Sequence, residues 1–515
     1  MSAAWSQPGI FLAGAWRGVA ATLGALALAG LLGGCMVGPD FHRPRLARPP
    51  ARFTETKLPP ATAARHGAAG GRQVFLPGGD IPGQWWALFR SPAITSLVTR
   101  ALANNPNIAA AQATLRQTQE LQLQQEGQLL PNLSGQVLRS RGEEPGVLLG
   151  LPGTSYTASY YGAQLNLSYS FDIWGGLRRA VEEAGARVDV SAFQLEATDL
   201  AISAGIADAA IQVASLQAQI GVQRDLIGFE THQLDTVRRQ FELGGATGTD
   251  VATQQAQVAT ARAVLVPLET ALGQARDQVA AYLGVAPSEL DLPPINLDRI
   301  TLPEALPVSI PSSVLDQRPD IRVAEATLHQ QTASLGVAIA QRLPQVTLQA
   351  TVGSDAADTH QLFSPGNGLW SLVNQAAQPI FDAGQLLHAQ RAQRAALEAA
   401  EASWRNTVIT AFQNVADVLV ALRNDEAAVS ANLDAERASR RSLELASMQY
   451  KLGGVSYLSV LSAQQTYQNA ILSLLRARAA RYTDTIALFQ ALGGGWWHRQ
   501  DVPPPPPGLL SSPLP

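Results

Sequence analysis

The chain of 515 residues holds one cysteine, Cys35, and seven histidines, His42, His66, His232, His329, His360, His388 and His498. These are the side chains that most often bind a transition metal or serve an activated nucleophile, and their spacing supports neither. A single thiol forms no internal disulfide and has no second thiol with which to share a metal. The histidines are scattered, and the sequence contains no HExxH, no GxSxG, no P-loop and no glycine-rich phosphate turn after a strand. Each histidine reads as an ordinary surface or interface residue. No catalytic residue, metal ligand or cofactor site is expected, and an enzyme is not the reading.

The chemistry that remains is covalent modification of Cys35. Arg17 is the only charged residue before it, and 18–32 is an uncharged run of Ala, Leu, Gly, Val and Thr. That run is shorter than the roughly 20 apolar residues of a comfortable spanning helix. One basic residue, an apolar middle and small residues at the end instead make a secretory signal over 1–34. Leu32-Gly33-Gly34-Cys35 resembles a bacterial lipobox, whose cysteine becomes the lipidated first residue of the mature chain. An ordinary signal peptide that happens to contain a cysteine is the alternative. Acyl chains, at about 0.8 kcal/mol per buried CH₂, hold a protein firmly to a membrane surface. Met36, where inner-membrane lipoproteins carry Asp, implies sorting to the outer membrane.

The elements that must carry this anchor are repetitive. The formal net charge is −4, so no basic surface argues for nucleic acid. Charged residues make up only 15%, which suits helices packed on more than one side. After the signal no apolar run is long enough to span, so any crossing of a membrane is expected to be by strands. "NPNIAAAQATL" from Asn105 matches "RPDIRVAEATL" from Arg318, and "LLPNL" from Leu129 matches "RLPQV" from Arg342 at the same offset. "SFDIWGG" from Ser170, "FELGGATG" from Phe241 and "YLG" from Tyr282 are answered in order by "IFDAGQ", "YKLGGVSY" and "ALG". The chain is a tandem duplication. It divides into an extended arm at 35–90, a first repeat at 91–291, a Pro-rich linker at 292–311, a second repeat at 312–495 and a Pro-rich tail at 496–515.

In each copy a helix stops at Pro131 or Pro344 and strands follow. Along 164–171, Leu165, Leu167, Tyr169 and Phe171 face one way, while Gln164, Asn166, Ser168 and Ser170 face the other. Val346, Leu348, Ala350 and Val352 oppose Gln345, Thr347, Gln349 and Thr351 in the same manner. Partner strands fall near 133–140 and 369–380, with long Gly- and Pro-rich loops from Arg141 and Gly353 between the pairs. Aromatic residues flank the strands at Tyr156, Tyr160, Tyr161, Trp174, Trp370 and Phe381. An apolar face, a polar face and aromatic edges fit a transmembrane β-barrel. A half-buried sheet of a soluble protein shows similar alternation.

Long helices follow the strands. Ile206, Val213, Ile220, Ile227, Leu234 and Phe241 are spaced by seven, with Ile202, Ala209, Leu216 and Val237 in a second seam. Trp404, Val408, Ala411, Val415, Val418 and Leu422 step by fours and threes, as do Tyr467, Ile471, Leu475, Ala479, Tyr482, Ile486 and Phe489. Sustained spacing of this kind is a coiled-coil signal. The stretch 176–243 has no proline and, at 1.5 Å per residue, extends roughly 100 Å. Gly244-Gly245 and Gly453-Gly454 turn the chain back and mark the tips farthest from the strands. A lipid-anchored coiled-coil scaffold or adhesin shares much of this outline but has no pore.

With these features in place the chain resembles the outer-membrane factor family, the TolC and OprM type of efflux channel, in its lipoprotein, NodT-like branch. The resemblance is carried by "CMVGPDFHRP" from Cys35, "WWALF" from Trp85, "ALANNPNI" from Ala101, "DQRPDIRVAEATL" from Asp316, "PIFDAGQLLHAQRAQ" from Pro379, "TAFQNVADVLVALR" from Thr410 and "ALGGGW" from Ala491. It implies a fold that is mostly α with membrane β. A long antiparallel α-helical coiled-coil barrel would stand in the periplasm, and four strands per subunit would contribute to a trimeric 12-stranded transmembrane β-barrel. Oligomerisation also follows from physics, because four strands cannot close and open edges are costly in lipid; the number three comes from the family.

The resemblance also implies a passive exit duct for drugs or other toxic small molecules, with metal efflux or type I protein secretion as variants. The homotrimer would receive its cargo from an inner-membrane efflux pump of the RND type through a periplasmic membrane-fusion adaptor. The adaptor would meet the tips at Gly244, Gly245, Gly453 and Gly454. OprM-like members carry Tyr-Leu-x-x-Leu-Asp-Ala-Gln at a periplasmic gate, and here the pattern reads Tyr457-Leu458-Ser459-Val460-Leu461-Ser462-Ala463-Gln464. Leu458 keeps the apolar gate residue, Ser462 stands where the acid is expected, and Gln465 stands where a basic residue can occur. Asp250, at the matching tip of the first copy, would supply an acidic ring instead, or is simply a helix-start carboxylate.

Overall fold

A computed structural model describes residues 36–46, 50–63, 69–145, 147, 150 and 152–499. The signal peptide, Cys35 and the tail beyond Arg499 lie outside the described residues. In chain order the main elements are β1 (Val74–Pro77), α1 (Pro92–Asn104), α2 (Pro106–Gly127), β2 (Asn132–Pro145), β3 (Ser155–Phe171), α3 (Gly176–Glu242) and α4 (Gly248–Leu283). They continue with β4 (Ala305–Val308), α5 (Pro311–Gln317), α6 (Pro319–Ala340), β5 (Gln345–Ala356), β6 (Gly368–Ala377), α7 (Gln385–Lys451) and α8 (Tyr457–Ala491). Two short helices, a strand pair and a long helical hairpin thus occur twice.

Local chemistry sets the boundaries. Four of the short helices start on a proline, whose missing N–H is no loss in a first turn. Asn105 caps α2 by accepting the N–H of Asn107 at 2.8 Å. Both long helices, α3 and α7, have 67 residues, about 100 Å at 1.5 Å per residue. The expected seams are the buried ones over most of their length: Ile202, Ile206, Ala209, Val213, Ile220, Leu234 and Val237 on α3, and Trp404, Val408, Ala411, Val415 and Leu422 on α7. The pattern loosens toward the first tip, where Phe241 is exposed. One expectation needs correction. By composition α3 does hold a window of 18 residues apolar enough to cross a membrane, with a mean hydropathy of 1.3, but two thirds of that window is buried inside the protein. Its Ala- and Ile-rich stretch is apolar because helices pack on several of its sides.

The waist of the molecule is tied together by the arm and the Pro-rich segment between the repeats. β1 pairs in parallel with β4, Val74 opposite Ala305 through Pro77 opposite Val308. Segment 292–311 also sends Ile295, Leu297, Ile300, Leu302 and Leu306 into the core. Trp85 stacks on Phe489 with ring centroids 5.4 Å apart, joining the arm to the last helix. Arg481 on α8 is fully buried, and its guanidinium holds only neutral oxygens of the arm: Ala69 O at 2.6 Å, Thr62 Oγ1 and Gly71 O at 2.9 Å, and Gln73 Oε1 at 3.2 Å.

The other four strands form one antiparallel sheet in the order β2-β3-β5-β6, so the strand pairs of the two repeats join through β3 and β5. The pairing is longer than the sequence suggests. Glu143 still pairs with Thr157, and Tyr161 with Ala356. Residues 141–145 and 353–356, read as loop from their glycines and charges, therefore belong to the ladder. A strand paired on its flank tolerates residues that its own propensity disfavours.

Candidate functional site

The sheet presents two chemically different faces. On one lie Leu133, Val137, Leu165, Leu167, Phe171, Val346, Leu348, Val352, Trp370 and Leu372, placed side by side by the register. They are not a soluble core: Val137 is 85% exposed, Trp370 78% and Leu372 58%. From Phe171 to Tyr161 this face runs ten residues along β3, about 34 Å at 3.4 Å each. With the usual tilt of about 40° that gives a band close to the ~25 Å apolar belt of outer-membrane barrels. Aromatic rings stand at both limits, Tyr169 and Phe171 below and Tyr161 above, where Arg139 lies over the Tyr161 ring at 5.7 Å.

The opposite face carries Ser134, Gln136, Gln164, Asn166, Ser168, Thr347, Gln349, Thr351 and Gln375. Its side chains bond to one another, as where Thr351 Oγ1 donates to Asn166 Oδ1 at 2.9 Å. Among the described residues, β2 and β6 pair with nothing on their outer flanks. An exposed apolar face, a wet polar face and two open edges fit a segment of a barrel wall closed by further copies.

The first described residues lie where this band meets the helices. The Val37 N–H donates to Trp174 O at 3.1 Å, and a side chain at Gly175 would come within 2.7 Å of Met36 Cγ. Arg179, almost fully buried at the base of α3, holds Val37 O, Asp40 and Glu182. Its neighbouring carboxylates keep its pKa above the usual arginine value against the opposing effect of burial. Cys35 itself is not described, but its chain neighbour is fixed at the lower edge of the apolar band.

At the other end are the hairpin tips. Gly244 and Gly453 take left-handed conformations, φ +78° and +75°, and each closes a turn by donating its N–H to the carbonyl of Phe241 or Tyr450 at 3.0 Å. Leu243 and Leu452, beside them, are among the most exposed apolar side chains of the shaft. Gly245 and Gly454 follow in each tip and donate to Gln240 O and Gln449 O. Asp250 lies in the first turn of α4, where its carboxylate accepts from the Thr247 N–H at 2.8 Å and from the Thr247 hydroxyl at 2.7 Å, while the Asp250 N–H donates to Thr247 Oγ1. Those bonds hold its pKa below the ordinary carboxylate value. Leu458, Ser462 and Gln465 fall at steps of four and three on α8 and are all exposed, whereas Leu461 and Gln464 between them are buried.

The geometry also unites residues that sequence reasoning passed over. Tyr457, the first residue of α8, donates its hydroxyl to Gln254 Oε1 on α4 at 2.8 Å, and the Gln254 amide donates to the backbone oxygen of Glu230 on α3 at 3.0 Å and to its carboxylate. Gln254 is fully buried and Glu230 nearly so, and burial pushes the Glu230 carboxyl above its ordinary range. This polar chain pins the start of α8, one residue before Leu458, to the first hairpin. Tyr457 belongs to the gate pattern; Glu230 and Gln254 gave no signal, because a buried polar residue interrupts the apolar spacing by which seams are read. Among the described residues no group of three His, Cys, Asp or Glu side chains is arranged to hold a metal.

Comparison with known proteins follows the same lines. The family model for the outer membrane efflux protein matches residues 97–285 and 310–494. The probable efflux pump outer membrane protein TtgC of Pseudomonas putida is 29% identical over 472 residues, 90% of this chain and 93% of that protein. The pyoverdine export outer membrane protein OpmQ of Pseudomonas aeruginosa is 30% identical over 419 residues, 80% of this chain and 87% of its own. Among solved structures, the outer-membrane channel OprN superposes with a TM-score of 0.79 at 26% identity, over 90% of this chain and all of that one.

Proposed function

The chain belongs to the outer membrane efflux protein family, and on that premise we propose that three copies of it build the passive exit duct of a tripartite efflux system. It is a channel of the outer membrane, with strands in lipid and a helical barrel in the periplasm. An inner-membrane pump, of the RND type in our reading, supplies the energy, and a periplasmic adaptor docks on the tips around Gly244, Gly245, Gly453 and Gly454. The cargo is drug-like or otherwise toxic small molecules. Leu458, Ser462 and Gln465 line the periplasmic constriction, and Cys35, acylated, holds each subunit to the outer membrane. The chain itself does no bond-making chemistry. The repeats at 91–291 and 312–495, joined by 292–311, are read as one duplicated unit, a reading supported by the two helices of equal length and the two matched family segments.

The observation that carries this reading is the sheet: an exposed apolar face of membrane height, a polar face behind it, and two unpaired edges. The same sheet continues into two helices of 67 residues, several times the usual length in a globular domain. Purified protein reconstituted in planar bilayers is expected to give discrete conductance steps, and mass spectrometry of the mature N-terminus to find an acylated Cys35. Absence of conductance at every voltage and pH tried would sink the duct, and an unmodified Cys35 would sink the anchor alone.

A further inference from the structure

We propose that Asp355 forms a charge-selecting ring inside the outer mouth of the strand barrel, so that the duct favours cationic solutes there rather than at the periplasmic gate. The proposal rests on the channel reading and adds a selectivity residue to it. The four strands carry only five charged side chains, Arg139, Arg141, Glu143, Glu144 and Asp355. The register sorts them by face. Arg139, Arg141 and Glu143 are in phase with the lipid-facing set, two, four and six residues beyond Val137, whereas Glu144 pairs with Tyr156 and Asp355 with Gly162 on the polar face. Both inner charges are acidic, and no lysine or arginine of the described strands shares that face to neutralise them.

Asp355 is the deeper of the two, and the wall is shaped around it. Its pairing partner is a glycine, and the carboxylate occupies the space a side chain there would need: a Cβ on Gly162 would come within 2.5 Å of Asp355 Oδ1. Gln164 donates its amide to the same oxygen at 3.3 Å, fixing the group against the wall while it stays partly exposed. The helices attach at the opposite ends of the strands, so Asp355, near the β5–β6 loop, lies toward the outside. Below it the bore offers neutral hydroxyls and amides, among them Thr351, Asn166 and Ser168. Repetition around a closed barrel turns one carboxylate into a ring, and a bore with low-dielectric walls focuses that charge on whatever passes. The gate position that in relatives of the OprM type is acidic is here the uncharged Ser462. Asp355 is thus the deeper of the two acidic side chains that a solute meets along the polar face of the strands.

The test is the reversal potential of single channels under a KCl gradient, for the wild type and for Asp355→Asn, Asp355→Ser and Asp355→Glu. Asn has nearly the same shape and retains an oxygen for the Gln164 amide; Ser serves if Asn fails to assemble. The wild type is expected to prefer potassium over chloride. The preference should fall at least about threefold in the neutral variants at 0.1 M salt, survive in Asp355→Glu, and shrink for all channels at 1 M, where screening acts within about 3 Å. Conducting wild-type channels without cation preference, or neutral variants that keep it, would overturn the ring while leaving the duct standing. Wild-type protein without conductance would overturn the duct, and the ring with it.

Discussion

At the scale of single residues, the tip of the first hairpin uses its acid locally. Asp250, the acid expected to stand in for a carboxylate at the proposed gate, has its oxygen bonded to both the amide and the hydroxyl of Thr247, the reciprocal cap of a helix start. Thr247→Ala removes the hydroxyl half of that cap. The expected cost is about 1 kcal/mol of local stability, read as faster amide hydrogen exchange over the first turn of α4 with no change along the middle of the helix. The second tip has no equivalent: Ser456 caps nothing with its side chain, and α8 starts instead from the hydroxyl of Tyr457 on Gln254. The two tips are similar in sequence but are secured by different bonds. The side of α8 that Leu458, Ser462 and Gln465 share could be read from their spacing, whereas the pin beside it joins three elements distant in sequence and left no periodic trace.

At the scale of elements, the lengths and turning points of the helices were legible and their lateral attachments were not. An unbroken heptad run ending in Gly-Gly fixes where a helix stops, since the following residue must take a left-handed conformation. Gly453 is in that conformation with open space where a side chain would point, whereas Gly454 is not, and its Cβ would meet Gln449 O at an ordinary 3.5 Å. Gly453→Ala should therefore loosen the tip by about 1–2 kcal/mol, the usual cost of that backbone region for a side chain. Gly454→Ala should cost clearly less; hydrogen exchange at 449–456 separates them. The parallel pairing of β1 with β4 was invisible, because prolines in both segments read as linker and the contact spans more than two hundred residues.

The packing of α7 on α8 adds a pH dependence at the same scale. Burial and the adjacent Asp484 carboxylate push Asp425 up to about 7. Burial also raises Asp484; Asp208 on α3, which accepts from Thr483, adds to that, and Arg481 opposes the shift of Asp425. Because the folded state holds this proton more tightly than the unfolded chain, stability falls as pH rises from the ordinary Asp value near 4 toward 7, and the loss is complete above it. Thermal melts should lie lower at pH 8 than at pH 5 by the equivalent of about 1 kcal/mol after solvent screening. Asp425→Asn should flatten that difference; an unchanged slope would place the titration elsewhere.

At the scale of the whole molecule, one subunit is an incomplete object. Its sheet ends in two bare edges, and the apolar face that lipid would cover is continuous with strands that have no partner on one flank. Closure by further copies must join β6 of one subunit to β2 of the next, and two neighbouring substitutions on β6 test it. In an antiparallel strand, alternate residues direct their backbone groups to opposite neighbours. Of Ser371 and Leu372 on β6, one therefore bonds to β5, as the ladder with Thr351 and Ala350 requires, and the other faces outward. Ser371→Pro and Leu372→Pro each delete one N–H. Either variant can lose oligomers, but only one should keep the sheet of the isolated subunit. Native mass spectrometry should find that variant as a folded monomer with wild-type helix content, and planar bilayers should find it silent. If both variants still assemble and conduct, the barrel is not closed through β6, and the proposed arrangement of subunits is wrong.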